Sequence, residues 1–385
     1  MAVGRLRVEA VDIVRGIAMI LMALDHTRDF LGATDISPTD LAKTTVPLFF
    51  TRWITHFCAP IFFLLTGTSA YLSRRGRSTG QLSRYLLTRG LWLMFLDVTW
   101  FHFSLQFNFE YHVILLNVLW ALGWAMVVLA ALIHLPLPAI ATVGVLLIAG
   151  HNLLDPIRAA NPLWSILHVQ NFILSTPEYA ILVAYPLIPW VGVTAAGYSL
   201  GVIYDWPTER RRPFLLWSGL LVTGAFVVIR AANVYGDPTP WAPQHTGGFT
   251  AVSFLNTTKY PPSLLFLLMT IGPALVLLRL VDGRTAPWLS PVATIGKVPM
   301  FYFLLHIPLI HLVAVMVCYA LYGNAHWMFE TPSIRQYPVA FPPGWGLSLP
   351  AVYLFWFCIV LALYPLCRWF AAVKRRSGSP WLSYV

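Results

Sequence analysis

Asp12, Arg15, Met19, Met22, His26 and Asp29 recur three or four residues apart, which places them on one face of a helix. Arg15 and His26 are 11 residues apart, close to three whole turns, so they point the same way about 16 Å apart along the axis. One face therefore carries a permanent cation at one depth and a titratable base at another. Histidine titrates near neutrality and can take the proton from an attacking amine or hydroxyl. Asp29, one turn beyond His26, is placed to orient the imidazole, and Asp12, one turn before Arg15, to pair with the guanidinium. The ordinary alternative is that Asp12 and Asp29 only anchor the helix ends.

Two further stretches carry candidate groups. Arg52 and His56 stand one turn apart in TRWITHFCAPIFFLLTGTSAYL, where Pro60, Gly67 and Ser69 allow a bend and close helix contact. GKVPMFYFLLHIPLIHLVAV puts Tyr302 and His306 on one face, with His311 farther along and Lys297 and Pro299 at its entrance. A packed, hydrogen-bonded histidine is an equally good reading of His56, His306 and His311. For Arg89 and Arg230, at the ends of apolar runs, snorkelling is the simpler account. Gly197-Tyr198-Ser199-Leu200-Gly201 fits the GxSxG hydrolase pattern, but that elbow needs a strand before it. Inside an apolar helix, Gly197 and Gly201 read instead as a small-residue packing face.

The elements that must position these groups are membrane helices. Of 385 residues, 58% are hydrophobic, 15% aromatic and only 10% charged. No soluble fold of that size hides so much apolar surface, which excludes a soluble enzyme, a DNA-binding module and a disordered chain. Spans of about 20 apolar residues are expected at about 10–30, 46–72, 86–107, 113–133, 137–153, 179–203, 214–234, 262–281, 297–321 and 347–371. The fold class is thus all-α: a polytopic integral membrane protein of about ten transmembrane helices in a single domain over 1–385. The first apolar run lacks a small-residue cleavage site and ends in Asp25, His26, Arg28 and Asp29, so it is not a cleavable signal peptide.

The formal charge is +10, and its placement decides its meaning. Cations gather at Arg5 and Arg7, at Arg74, Arg75, Arg77 and Arg84, at Arg210–Arg212, at Arg279 and Arg284, and at Lys374–Arg376; the alternate loops hold few. By the positive-inside rule both termini, 1–9 and 372–385, are expected in the cytoplasm. No nucleic-acid partner is expected. The segments 154–178 and 235–261 are long for turns and should fold over the outer face. Asn256-Thr257-Thr258 is a glycosylation sequon whose meaning depends on the host compartment. Cys58, Cys318, Cys358 and Cys367 lie in apolar stretches without metal-type spacing, and no metal site is indicated.

RGIAMILMALDHTRDF, WITHFCAPIFFLLTGTSAYL, TRGLWLMFLDVTW, YPLIPWVGVTAAGYSLG, SFLNTTKYPPSLLFLLMTIGP and GKVPMFYFLLHIPLIH resemble a bacterial membrane family related to the catalytic domain of heparan-alpha-glucosaminide N-acetyltransferase. The resemblance covers nearly the whole chain. In the wider superfamily, the acyltransferase-3 family carries a basic residue, ten residues, then a histidine in its first span. Arg15 and His26 fit that spacing. The lysosomal enzyme has its catalytic histidine in the loop after the first span; residues 31–45 here contain none, so the role falls to His26. The close arginine pair of the acyltransferase-3 family is matched imperfectly by Arg84 and Arg89, five apart.

The resemblance implies a membrane-embedded acyltransferase in a bacterial inner membrane. It moves an acyl group, acetyl in the simplest case, from cytoplasmic acyl-CoA to an amine or hydroxyl of a sugar or glycan at the outer face. Arg15, Arg84, Arg89 and Lys297 are the expected donor-binding cations. His26, Asp29, Arg52, His56, Tyr302 and His306 are the candidate catalytic set, with Arg52 or Tyr302 stabilising the oxyanion. Direct transfer and an acyl-histidine intermediate both stay open, as does assembly into a homo-oligomer. A transporter with an intramembrane His/Arg/Asp relay and a non-catalytic partner in an envelope complex are the rival readings.

Overall fold

A computed structural model describes residues 8–33, 36–157, 159, 161–284, 286–377, 382 and 384. Arg5, Arg7 and Arg158, and most of the expected tail beyond Ser377, lie outside the described residues. In chain order the helices are α1 Glu9–Leu31, α2 Val46–Thr55, α3 Cys58–Leu72, α4 Thr79–Leu96, α5 His102–Gln106, α6 Val118–Leu132, α7 Leu137–Gly150 and α8 Pro162–Leu167. They continue with α9 Leu187–Leu200, α10 Thr208–Ala232, α11 Gly247–Leu255, α12 Leu264–Val281, α13 Ser290–Lys297, α14 Pro299–Tyr322 and α15 Leu349–Arg376.

Local sequence explains several boundaries. Ser78 and Gln81 form a reciprocal capping box at the start of α4. Thr45, Asn117 and Ser263 cap α2, α6 and α12 through their side chains. Proline occupies the first turn of α7, α13, α14 and α15, where its missing N–H costs nothing.

All ten expected spans are helical wholly or in large part, and among the described residues seven helical segments are long and apolar enough on their own to cross a membrane. Among the others, α6 has only 15 residues, and α1 and α4 are interrupted by their own charged and polar residues. The protein is an all-α integral membrane protein with one small sheet among the described residues. Residues 113–116 and 180–183 were expected to begin helices; they are strands instead. β1 Val113–Leu116, β2 Asn171–Ser175 and β3 Ala180–Val183 form a three-stranded sheet in the order β1-β3-β2, β1 parallel and β2 antiparallel to β3. Short apolar runs do not reveal their period. Here Asn117 and Pro186, each extended immediately before a helix, mark where the strand-like segment ends.

α1 runs through the centre of the molecule, packed against α2, α3, α12, α13, α14 and α15. The Gly197–Gly201 face is a packing face. A Cβ on Gly197 would sit 2.1 Å from the Leu64 carbonyl oxygen, and one on Gly201 would sit 2.5 Å from Tyr71 Cβ, so α9 lies directly on α3. Arg230 does not snorkel. It is buried, and its guanidinium donates to the carbonyls of Thr239, Ser253, Phe254 and Asn256 at 2.9–3.1 Å, tying the 235–261 segment to the end of α10.

Candidate active site

Two cavities lie at opposite ends of α1. The first, about 660 Å³, opens around its C-terminal half and is lined by Asp25, His26, Arg28 and Asp29 of α1 and by Arg52 and Thr55 of α2. Asp25 is the hub. Its carboxylate accepts from Arg52 Nη1 and, at 2.9 Å, from Thr55 Oγ1, and forms an ion pair with Arg28 Nη2 at 2.9 Å. Arg28 also bridges to Asp29 at 2.5 Å. Asp29 Oδ2 is 3.8 Å from His26 Nδ1, within ion-pair range but beyond a formed hydrogen bond.

Loops complete this chamber. Lys259 and Tyr260 enter from the turn before α12, and Gln170 from the segment before β2. Tyr337 and Phe341 come from the connection between α14 and α15. That connection is pinned to the end of α1: Trp345 Nε1 donates to the Phe30 carbonyl at 3.0 Å, and Leu347 N donates to the Leu31 carbonyl at 2.7 Å. The Tyr337 hydroxyl is buried and has no hydrogen-bond partner among the described residues. Burial, reinforced by the Asp97 and Asp29 carboxylates and Tyr260, pushes its phenol well above the ordinary tyrosine range. Tyr337, one of the residues lining the chamber, therefore stays protonated at neutral pH.

The second cavity, about 930 Å³, surrounds the N-terminal half of α1. Arg15, Arg89 and Lys297 line it together with Arg368, Lys374 and Arg375. Arg15 is fixed by Asp12 Oδ1 at 3.2 Å, the Gly296 carbonyl at 3.2 Å and Ser69 Oγ at 2.7 Å. The Arg89 guanidinium lies 4.5 Å from the Tyr85 ring centre and 5.2 Å from that of Tyr384. The two cavities share Phe62 and Val118 as wall residues, with Met19 on one side and Met22, a turn on, on the other.

The expected residues thus divide. His26, Asp29 and Arg52 meet in the first cavity, and Arg15, Arg89 and Lys297 in the second. His306 lines neither; its ring stands 5.3 Å from that of His26 and 5.7 Å from that of Tyr302, so the three form a chain leading into the core. His306 Nδ1 donates to the Phe303 carbonyl at 2.7 Å, which leaves Nε2 as the acceptor. His56 is buried against Phe266, away from both cavities. Arg84 is exposed on α4 and lines neither cavity. His311 lies within hydrogen-bond distance of the Ser104 and Met328 carbonyls, a structural arrangement.

Sequence spacing missed Asp25, Arg28, Thr55, Tyr337 and Arg368. Asp25 and Arg28 stand in the same charged helix end as His26 and Asp29, which was the available signal. Tyr337 carried none, because only the folded connection brings it to the chamber.

The protein is a polytopic helical membrane protein in which a partly buried histidine–carboxylate–arginine network and a separate cationic chamber lie along one helix. The chain matches the family described as "Heparan-alpha-glucosaminide N-acetyltransferase, catalytic" over residues 7–231, more than half its length, and belongs to that family. The match takes in α1 through most of α10, and so His26, Arg15, Arg52 and Arg89; Lys259, Lys297, Tyr337 and Arg368 lie beyond it. Compared with curated proteins, the chain matches none.

Proposed function

We propose that the protein transfers an acyl group, acetyl in the simplest case, from acyl-CoA in the Arg15 cavity to an amine or hydroxyl of a sugar or glycan in the His26 cavity. The observation that carries this reading is the pair of chambers on one helix, meeting at Phe62 and Val118. The loop residues around the His26 cavity come from connections poor in cations, whereas the Arg15 cavity opens beside the basic helix ends. With the positive-inside rule, the donor enters from the cytoplasm and the acceptor from the outer face. In a bacterial host this is the inner membrane.

Arg89, Lys297, Arg368, Lys374 and Arg375 suit the phosphates of the donor. The long, thin pantetheine arm passes Arg15 and brings the thioester carbonyl to the shared wall. His26 accepts the proton from the acceptor N–H or O–H as that atom bonds to the carbonyl carbon. The tetrahedral oxyanion faces Arg52 and the Tyr337 hydroxyl. Collapse breaks the C–S bond, and the imidazolium returns its proton to the departing thiolate, so no net charge or proton is lost. Asp29 steadies the imidazolium. Tyr302 and His306, behind His26, act by positioning its ring.

The test is turnover by purified protein with acetyl-CoA and a panel of amino sugars, read as free thiol released and acetylated sugar formed. His26→Ala should lower the rate by about 100-fold or more, the usual share of general acid–base catalysis, with the protein still monodisperse. Wild-type rates in that variant would remove His26 from the chemistry. Solute flux through vesicles without any thiol release would replace acyl transfer with transport.

A further inference from the structure

Away from both cavities, three ligand-type side chains converge where α7 ends. His151 opens a single 3-10 turn, His151–Leu154, that closes α7; Asp155 follows it; His168 ends α8. One ligand atom from each lies within 4.8 Å of the others. His168 Nε2 is 2.9 Å from Asp155 Oδ1. Both imidazoles are shut off from solvent, 1% and 0% exposed. Yet neither ring nitrogen of His151, nor Nδ1 of His168, has a hydrogen-bond partner among the described residues. A buried polar atom left unmade costs about 1–3 kcal/mol, so two such rings facing one carboxylate call for a further ligand.

We infer that His151, Asp155 and His168 bind a divalent transition-metal ion of the zinc class. Two neutral imidazoles and one carboxylate are the donors zinc takes when a fourth position is left to water. Magnesium and calcium favour oxygen-rich sites and fit this set poorly. Tetrahedral zinc with bonds of about 2.0–2.1 Å needs ligand atoms about 3.4 Å apart. The 4.8 Å spread closes by rotation of the His151 ring, since the His168–Asp155 pair is already close. The support expected around a metal ligand is present. Asn152 Nδ2 donates to Asp155 Oδ2 at 2.9 Å, while its Oδ1 accepts from Leu264 N at 2.8 Å, so the carboxylate is oriented by the start of α12. Trp164 packs on the His168 ring at 5.0 Å. The ion clips the end of α7 to the segment leading into β2, which delivers Gln170 to the His26 cavity.

The experiment uses the full-length chain without an affinity tag, stripped with chelator, incubated with zinc chloride and desalted. Metal content and thermal unfolding are then measured. Wild type should hold about one zinc per chain and unfold at higher temperature than the stripped protein, because a ligand of the native state stabilises it. His151→Gln and His168→Gln should lose at least about nine-tenths of that zinc, whereas exposed His245→Gln keeps it. Wild type retaining no stoichiometric zinc, or His151→Gln retaining as much as wild type, overturns the site. Should the glutamine variants not fold, zinc-edge absorption on wild type decides: two imidazoles in the first shell support the site, and any other shell refutes it.

Discussion

At the scale of single residues the site turns on a carboxylate whose partners are remote in sequence. Asp25 lies beside His26 on α1, but Arg52 and Thr55, which bind it, lie 27 and 30 positions on in α2. Helical spacing places His26, Arg15 and Asp29 on one face, and Asp12 does pair with Arg15 at 3.2 Å. It says nothing about which of two adjacent acids two guanidiniums will choose. Both arginines are largely buried, with side chains 9% and 15% exposed. Removing the charge of Asp25 leaves Arg52 without its counter-ion and Arg28 with Asp29 alone, and breaking a buried pair costs about 3–5 kcal/mol. Asp29, 40% exposed, is screened by water and gives much less. Asp25→Asn should therefore lower the unfolding temperature well below that of Asp29→Asn, whereas Asp29→Asn should chiefly lower kcat. Equal melting shifts for the two variants would show that Asp25 is not the hub.

At the scale of elements, apolar length identified helices, and elements shorter than a span escaped it. Val113–Leu116 and Ala180–Val183 are as apolar as the helices that follow them, and what makes them strands is pairing with each other and with Asn171–Ser175. That information is tertiary. The long connection between α14 and α15 likewise gave no sign that it would pin itself to α1 and supply Tyr337. Glycine was more legible. Gly197 sits where a Cβ would lie 2.1 Å from a backbone oxygen of α3, whereas Gly224, inside α10, would meet nothing within 4 Å. Substitution by alanine should act with opposite signs. Gly197→Ala forces α9 off α3 and should destabilise by about 1–3 kcal/mol, the cost of overpacking. Gly224→Ala only gains helix propensity, up to about 1 kcal/mol. Paired thermal unfolding in one detergent checks this; a tolerated Gly197→Ala would mean that α3 and α9 are not in backbone contact.

At the scale of the whole molecule, the loops sort by charge and the cavities sort with them. Lys374 and Arg375, in the basic end of α15, line the Arg15 chamber, so residues expected to orient the chain in a bilayer also stand where the proposed donor would bind. The meeting of the two chambers was also beyond the sequence, because it depends on how α3 packs against both α1 and α6. Phe62 and Val118 line both sides of that junction. A thioester delivered from one chamber and an acceptor held in the other can react only past these two side chains. Val118 begins α6, is half-buried and lines both cavities, so a larger side chain there narrows the junction. Val118→Trp should retain acetyl-CoA binding at the Arg15 cavity, seen as an unchanged ligand-induced rise in melting temperature. Turnover to the acceptor should fall by about tenfold or more, the effect of a barrier raised by about 1.4 kcal/mol. Unaltered turnover would mean that donor and acceptor meet elsewhere, and the paired chambers would then have no part in the reaction.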